Sequence, residues 1–154
     1  MSKIQPIPEG FTSVTPHIIV KDIKNAVAFY QKAFGAEACH IFPGPDGKPM
    51  HGDIKIGNAH VMLSPENPQW QARGPLALGG TPVTLALYVT DVDASFKRAV
   101  DAGAKPVMPP ADMFWGDRFS VVTDPEGHSW SIATHTKDPS PEQMMEEMKK
   151  MGPC

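Results

Sequence analysis

The sequence predicts an α+β fold made of two βαβββ units, and three observations lead there. The run Val14-Thr15-Pro16-His17-Ile18-Ile19-Val20-Lys21-Asp22-Ile23 returns 69 residues later as Val83-Thr84-Leu85-Ala86-Leu87-Tyr88-Val89-Thr90-Asp91-Val92, with Val-Thr, a later Val and Asp in place. Each run alternates with a period of two and then gives way to a helical stripe. The 17 prolines and 13 glycines among 154 residues call for many short elements and turns, not a helix bundle. Two units are too few for a solenoid, so they imply one fold built from two similar halves.

Taken in order, residues 1–10 read as an N-terminal extension, 11–64 as the first unit, 65–80 as a linker, 81–135 as the second unit and 136–154 as a helical tail. In the first opening strand Val14, Pro16, Ile18 and Val20 share one face, and Thr15, His17 and Ile19 share the other. In the second, Val83, Leu85, Leu87 and Val89 oppose Thr84, Ala86 and Tyr88. The apolar face of each is set to pack against a helix. Asp22 and Asp91 suit N-caps, because a short side-chain oxygen accepts from free first-turn N–H groups. Ile23, Ala26, Val27, Tyr30 and Phe34 make one helical stripe; Val92, Phe96, Ala99 and Val100 make another. Gly35 and Gly103 stand where a helix ends in positive φ.

The rest of each unit reads as hairpins. Pro45-Asp46-Gly47-Lys48 is a turn. Ile54-Lys55-Ile56, Gly57-Asn58 and Ala59 to Ser64 form a second hairpin. Arg118 to Thr123, Asp124-Pro125-Glu126-Gly127 and Ser129 to Thr134 repeat that plan. In the tail, Ser140-Pro141-Glu142-Gln143 joins an N-cap, a proline at the first helical position and a capping-box Gln. A helix to about Lys150 follows, bearing Met144, Met145, Met148 and Met151. It is expected to dock on its own body or on a second subunit. A Met-rich recognition surface is the other reading.

Composition excludes several classes. With 14 basic and 17 acidic residues the net charge is −3 and no basic run exists, so the footprint of a nucleic-acid binder is missing. No apolar stretch approaches the roughly 18 residues of a membrane span. The start, Met1-Ser2-Lys3-Ile4-Gln5-Pro6, carries no apolar signal region. Cys39 and Cys154 make neither a disulfide framework nor a CxxC pair. The expectation is a reduced, cytoplasmic protein.

The doubled unit, with Asp124-Pro125-Glu126-Gly127-His128-Ser129-Trp130 near its end, resembles the vicinal oxygen chelate superfamily over about residues 11–135. That group includes glyoxalase I, extradiol dioxygenases and the fosfomycin- and bleomycin-resistance proteins. The runs Val20-Lys21-Asp22, Met50-His51-Gly52-Asp53, Ala77 to Pro82, Phe114-Trp115-Gly116-Asp117-Arg118 and Asp124 to Trp130 look like its PhnB-like branch. The resemblance implies that each unit curls into a half-barrel around a cavity, and that the chain is a homodimer. In metal-dependent members the cavity holds a divalent ion with two ligands from each unit, one on an opening strand and one on a late strand. The ion stabilises an enediolate or similar anion.

Carried over residue by residue, those four positions are Thr15, Met62, Thr84 and Ser131. Hydroxyls and a thioether are poor partners for Zn²⁺, Ni²⁺ or Fe²⁺, so no metal cofactor is expected. An unusual ion held by His17, His60 and Asp53 is the alternative; otherwise the two imidazoles are hydrogen-bonded pocket walls or simply structural. Tyr88 projects to the cavity face as a hydrogen-bonding wall or an acid. Trp115 and Phe114 lie in a Pro/Gly-rich approach, Pro109 to Gly116, at a pocket mouth or plugging the core. Arg118 is a carboxylate or phosphonate binder, or the partner of Asp117. Asp124, Pro125 and Gly127 read as turn residues. His128 receives no role, and Cys39 has no activating neighbour.

Three functional readings follow. The first is a metal-independent small-molecule binder whose pocket uses Thr15, His17, His60, Met62, Thr84, Tyr88 and Ser131, with Trp115 and Arg118 near the mouth. The second is a superfamily lyase, isomerase or dioxygenase with an unusual metal set or acid–base residues such as His17 and Tyr88. The third is a partner-binding module acting through the Met-rich tail.

Overall fold

Two four-stranded sheets carry the fold, each with a helix against one face. The computed structural model describes residues 4–151, so Cys154 and the end of the tail lie outside the described residues. The chain divides into two units: residues up to Thr81 with Pro125–Gly127, then Pro82–Asp124 with residues from His128 on.

In the first unit β1 (His17–Val20) leads into α1 (Ile23–Phe34), followed by β2 (Glu37–Pro43), β3 (Pro49–Ile56) and β4 (Ala59–Pro65). The sheet order is β1-β4-β3-β2, with β1 parallel to β4 and the other pairs antiparallel. Asp22 caps α1 by accepting the Asn25 N–H at 2.8 Å, and Gly35 ends it at φ 68°. The buried helical residues are Ile23, Ala26, Val27, Phe29, Tyr30 and Ala33. They meet Ile18, Val20, Ile54, Ile56, Val61 and Leu63, all buried. Each such large apolar side chain contributes roughly 1.5–3 kcal/mol of burial.

The predicted linker is structured. It holds a 3₁₀ turn, Pro68–Trp70, and a short helix α2 (Pro75–Leu78). The second unit repeats the first: β5 (Thr84–Tyr88), α3 (Val92–Asp101), β6 (Lys105–Asp112), β7 (Asp117–Thr123) and β8 (Ser129–His135), in sheet order β5-β8-β7-β6. The repeat extends to register. His17 lies opposite Met62 in the first unit, and Ala86 lies opposite Ser131 in the second, each 69 positions on. Both units are half-barrel modules of an α+β fold.

Two expectations need correction. β1 begins at His17, not Val14, which is 83% exposed. Pro16 has no N–H for the ladder, and the Thr12 and Thr15 hydroxyls instead bond the local carbonyls of Val14 and Thr12. The stretch Pro109 to Asp112, read as loop, belongs to β6. β6 is an edge strand, and Pro109 and Pro110 fall in the register shift between Met108 and Ala111, where the ladder is already interrupted. The tail forms a helix, α4 (Pro141–Met151), capped as predicted by Ser140 and Gln143. Met145 and Met148 are exposed and Met144 is half-buried, so the chain's own body leaves two of its methionines uncovered.

Candidate functional site

Period two separates each sheet into a face toward its helix and a face away from it. In the first unit the far face carries His17 on β1, His51, Asp53 and Lys55 on β3, and His60, Met62 and Ser64 on β4. Two ring clusters form there. His17 Nε2 lies 2.7 Å from the Ser64 hydroxyl, and its ring meets His51 edge-on at 5.7 Å. Burial, then the neighbouring His51, holds the His17 pKa below its ordinary 6.5. His60 instead turns Nδ1 to both carboxylate oxygens of Asp53, at 2.9 and 3.1 Å. The ring of Phe11 stacks on His60 at 4.1 Å.

The expected trio of His17, His60 and Asp53 is therefore not assembled. Cys39 takes the third place: its sulfur and the ligand atoms of Asp53 and His60 lie within 4.8 Å of one another. A bulge brings it there. Ala38 pairs with Ile54 and His40 with Asp53, which leaves Cys39 as the extra residue. Burial, followed by the Asp53 and Glu37 charges, pushes its thiol pKa up.

In the second unit the far face gathers around Asp117. This carboxylate is 3% exposed. It accepts from the Tyr88 hydroxyl at 2.8 Å and the Trp115 indole at 3.0 Å, and bonds His135 Nδ1 at 2.7 Å. Burial alone would raise its pKa, but bonds from His135, Tyr88 and Trp115 outweigh burial and bring it below 3.8. The Asp117 bond and burial push the Tyr88 phenol above 10. A phenol so held is a weaker acid than a free one. Trp115 also meets Phe114 and Phe119 edge-on, at 5.0 and 5.6 Å.

The other predicted residues fall as follows. Thr15 donates to the Thr12 carbonyl, and Thr84 to the Ser129 hydroxyl. Met62 is half-buried on β4, and Ser131 is buried on β8. Arg118 is the clear misplacement. It points to the α3 side, where Nε and one terminal nitrogen reach Asp93 and the other reaches Asp112. Asp117 and Arg118 are sequence neighbours on opposite faces, so neither the ion pair between them nor a ligand clamp forms. Asp124 is a turn-maker, as read: it accepts the His128 N–H and the Trp130 indole, each at 2.9 Å. Reasoning from sequence missed Cys39, Phe11, Asp117 and His135. Alternation from Tyr88 and Ser131 was the available signal for the last two.

In the second unit a cleft of about 830 Å³ lies between the β6–β7 turn and α4; Phe114, Lys137 and Glu146 are among its lining residues. None of the nine predicted pocket residues lines it.

The fold has counterparts among known proteins. A model of the Glyoxalase/Bleomycin resistance protein/Dioxygenase superfamily matches residues 11–132. The chain belongs to this superfamily.

Among its superfamily relatives, an uncharacterized protein of Mycobacterium bovis is 43% identical over 143 residues, spanning 91% of this chain and 94% of that one. A Mycobacterium tuberculosis relative has the same identity and spans 84% of its own length. Among solved structures, TioX from Micromonospora sp. ML1 is 30% identical with a TM-score of 0.65, covering 80% of this chain and 98% of that one. An Arabidopsis thaliana gene product is 26% identical with the same TM-score and the same coverage. The residues at the four positions that the resemblance assigns to a metal are poor donors for one. The four positions are two threonines with hydroxyls already bonded, a thioether and a buried serine, and none supplies an anionic or imidazole donor.

Proposed function

We propose that the protein binds a planar organic molecule bearing hydrogen-bonding groups, on the half-barrel faces that point away from the helices, without a metal at the superfamily's four positions. The observation that carries this reading is the substitution of those positions by neutral Thr15, Met62, Thr84 and Ser131 on faces otherwise rich in rings. His17 and His51 offer imidazole edges, and Trp115 and Phe119 offer aromatic surface beside the Tyr88 hydroxyl. Sequestration needs shape and polarity but no Lewis acid. The PhnB-like branch, a homodimeric state and a cytoplasmic setting belong to the same proposal. Exposed Ile41 and Phe42 on the edge strand β2 support the dimer.

The test is a thermal-shift screen of planar heteroaromatic compounds and their carboxylates against chelator-treated protein. A compound at a hundredfold excess over its Kd adds about 2.7 kcal/mol to stability. The expected result is a shift in metal-free protein that His17→Ala weakens for a compound held on the first unit's face, or that Tyr88→Phe weakens for one held on the second unit's face. Shifts that appear only after adding a divalent ion would overturn this reading and favour a superfamily enzyme with an unusual metal set. A ligand captured undiminished after deletion of residues 137–154 separates it from binding through the Met-rich tail.

A further inference from the structure

We propose that Cys39, Asp53 and His60 form a three-ligand site for a divalent cation of the Zn²⁺ type, with a fourth position open to water or a bound molecule. None of these residues is among the four positions that the resemblance assigns to a metal, and the site stands independently of the small-molecule reading. A thiolate, an imidazole and a carboxylate are the donors that borderline-soft cations select, whereas Mg²⁺ and Ca²⁺ prefer oxygen alone.

The geometry is close to what such an ion needs. Ligands bonded at about 2.0–2.3 Å to a tetrahedral ion stand roughly 3.3–3.8 Å apart. Asp53 and His60 are 2.9 Å apart, and the whole trio lies within 4.8 Å. Asp53 and His60 must open by a few tenths of an ångström, and Cys39 must close in by about one at most. Cys39 is the unpaired residue of a bulge, the point of β2 at which such an adjustment disturbs the fewest ladder bonds. The His60 ring is held by the Phe11 stack and by Gly10, where an added Cβ would come within 3.1 Å of Nε2. His60 and Asp53 side chains are 11% and 9% exposed, which limits competition from water.

The internal repeat supplies a control. The second half-barrel has the same bulge, at Val107 between Pro106 and Met108. There Val107, Val121 and Ser129 stand where the first half has Cys39, Asp53 and His60. The fold requires the bulge but not the donors, so the donors are a property of the first half alone. Binding displaces the Cys39 thiol proton to solvent, and the His60 proton moves from Nδ1 to Nε2.

Co²⁺ is the probe, titrated into the full chain, with Zn²⁺ as competitor. One ion per chain and a thiolate-to-cobalt charge-transfer band are expected. The band should vanish in Cys39→Ser and persist in Cys154→Ser and His17→Gln. His60→Gln should weaken Co²⁺ binding by more than about tenfold. Circular dichroism checks that each variant folds. In the unaltered chain, saturating Zn²⁺ should suppress alkylation of Cys39, read by site-resolved mass spectrometry. A band that survives Cys39→Ser, no stoichiometric ion, or a Cys39 alkylation rate indifferent to Zn²⁺ would each overturn the site. The small-molecule screen uses metal-free protein, so failure of either proposal leaves the other standing.

Discussion

Tyr88 on β5 donates its phenolic hydrogen to Oδ2 of Asp117 on β7, at 2.8 Å, and the same oxygen takes the Trp115 indole N–H. The outer strand β5 is thus tied to β7 across β8, which lies between them. Asp117→Ala leaves three donors without their acceptor, one of them the half-buried indole. A loss of about 1–3 kcal/mol is expected from denaturant unfolding. Asp117→Asn keeps an acceptor oxygen and should lose less. Equal losses for the two would show that the carboxylate fills space without organising its donors.

The same cluster sets a pH dependence. Bonds to Asp117 and then Asp138 hold the His135 pKa above 6.5. A raised imidazole pKa adds stability that is fully present below 6.5 and is lost as pH rises through the folded pKa. Asp117 has a lowered pKa, so its contribution is present above 3.8 and is lost only as pH falls through the folded value. His17 runs the other way: its lowered pKa makes the folded state resist protonation as pH falls below 6.5. Melting temperatures across pH should show wild type losing its advantage over His135→Gln as pH rises. NMR titration should place His17 below 6.5 and His135 above it. The reverse order would contradict both clusters.

The repeat, the long helix of each unit and the N-caps of those helices were legible because they rest on local physics; of the two glycines expected to end them, Gly35 caps α1 while α3 ends on Ala102. Asp22 and Asp91 each accept an N–H three residues on, at 2.8 and 2.9 Å, as short acidic side chains do before a helix. The candidate site was less legible because it depends on register. Cys39 reaches Asp53 only through a bulge, and nothing in Glu37-Ala38-Cys39-His40 announces the extra residue. Asp117 was judged by its neighbour Arg118, although alternation sends adjacent strand residues to opposite faces. The start of β1 was misread because Thr12 and Thr15 make local hydroxyl bonds that compete with a ladder.

Arg118 tests that last distinction between adjacency and facing. Its guanidinium joins Asp93 of α3 to Asp112 of β6. The two carboxylates are 57% and 74% exposed, so water screens both pairs. Arg118→Ala should therefore leave urea stability close to that of the wild type. It should leave binding of any compound found in the screen unchanged, because the side chain points toward α3. A large loss of affinity for carboxylate compounds, measured by titration calorimetry, would place Arg118 back at a ligand and invert the assigned faces.

Gly116 gives the strongest backbone test. It sits between Trp115 and Asp117 at φ 102°, a conformation that side chains rarely tolerate. An added Cβ would stand 2.1 Å from the Lys137 carbonyl oxygen and 2.7 Å from Pro139 Cδ. The Gly116 carbonyl accepts the N–H groups of Thr136 and Lys137 and the Thr136 hydroxyl, at 2.9 to 3.0 Å. One residue therefore sets the turn that aims Trp115 and Asp117 and also anchors the chain leaving β8. Gly116→Ala meets backbone strain of about 1–3 kcal/mol, and the contact with another segment's backbone adds to it, since no rotamer change relieves that contact. The expected result is a clear drop in urea stability, with altered tryptophan fluorescence as the Trp115 indole leaves Asp117. Wild-type stability and fluorescence would mean that residues 137–139 do not rest against this turn, and that the Asp117 cluster is positioned by β7 alone.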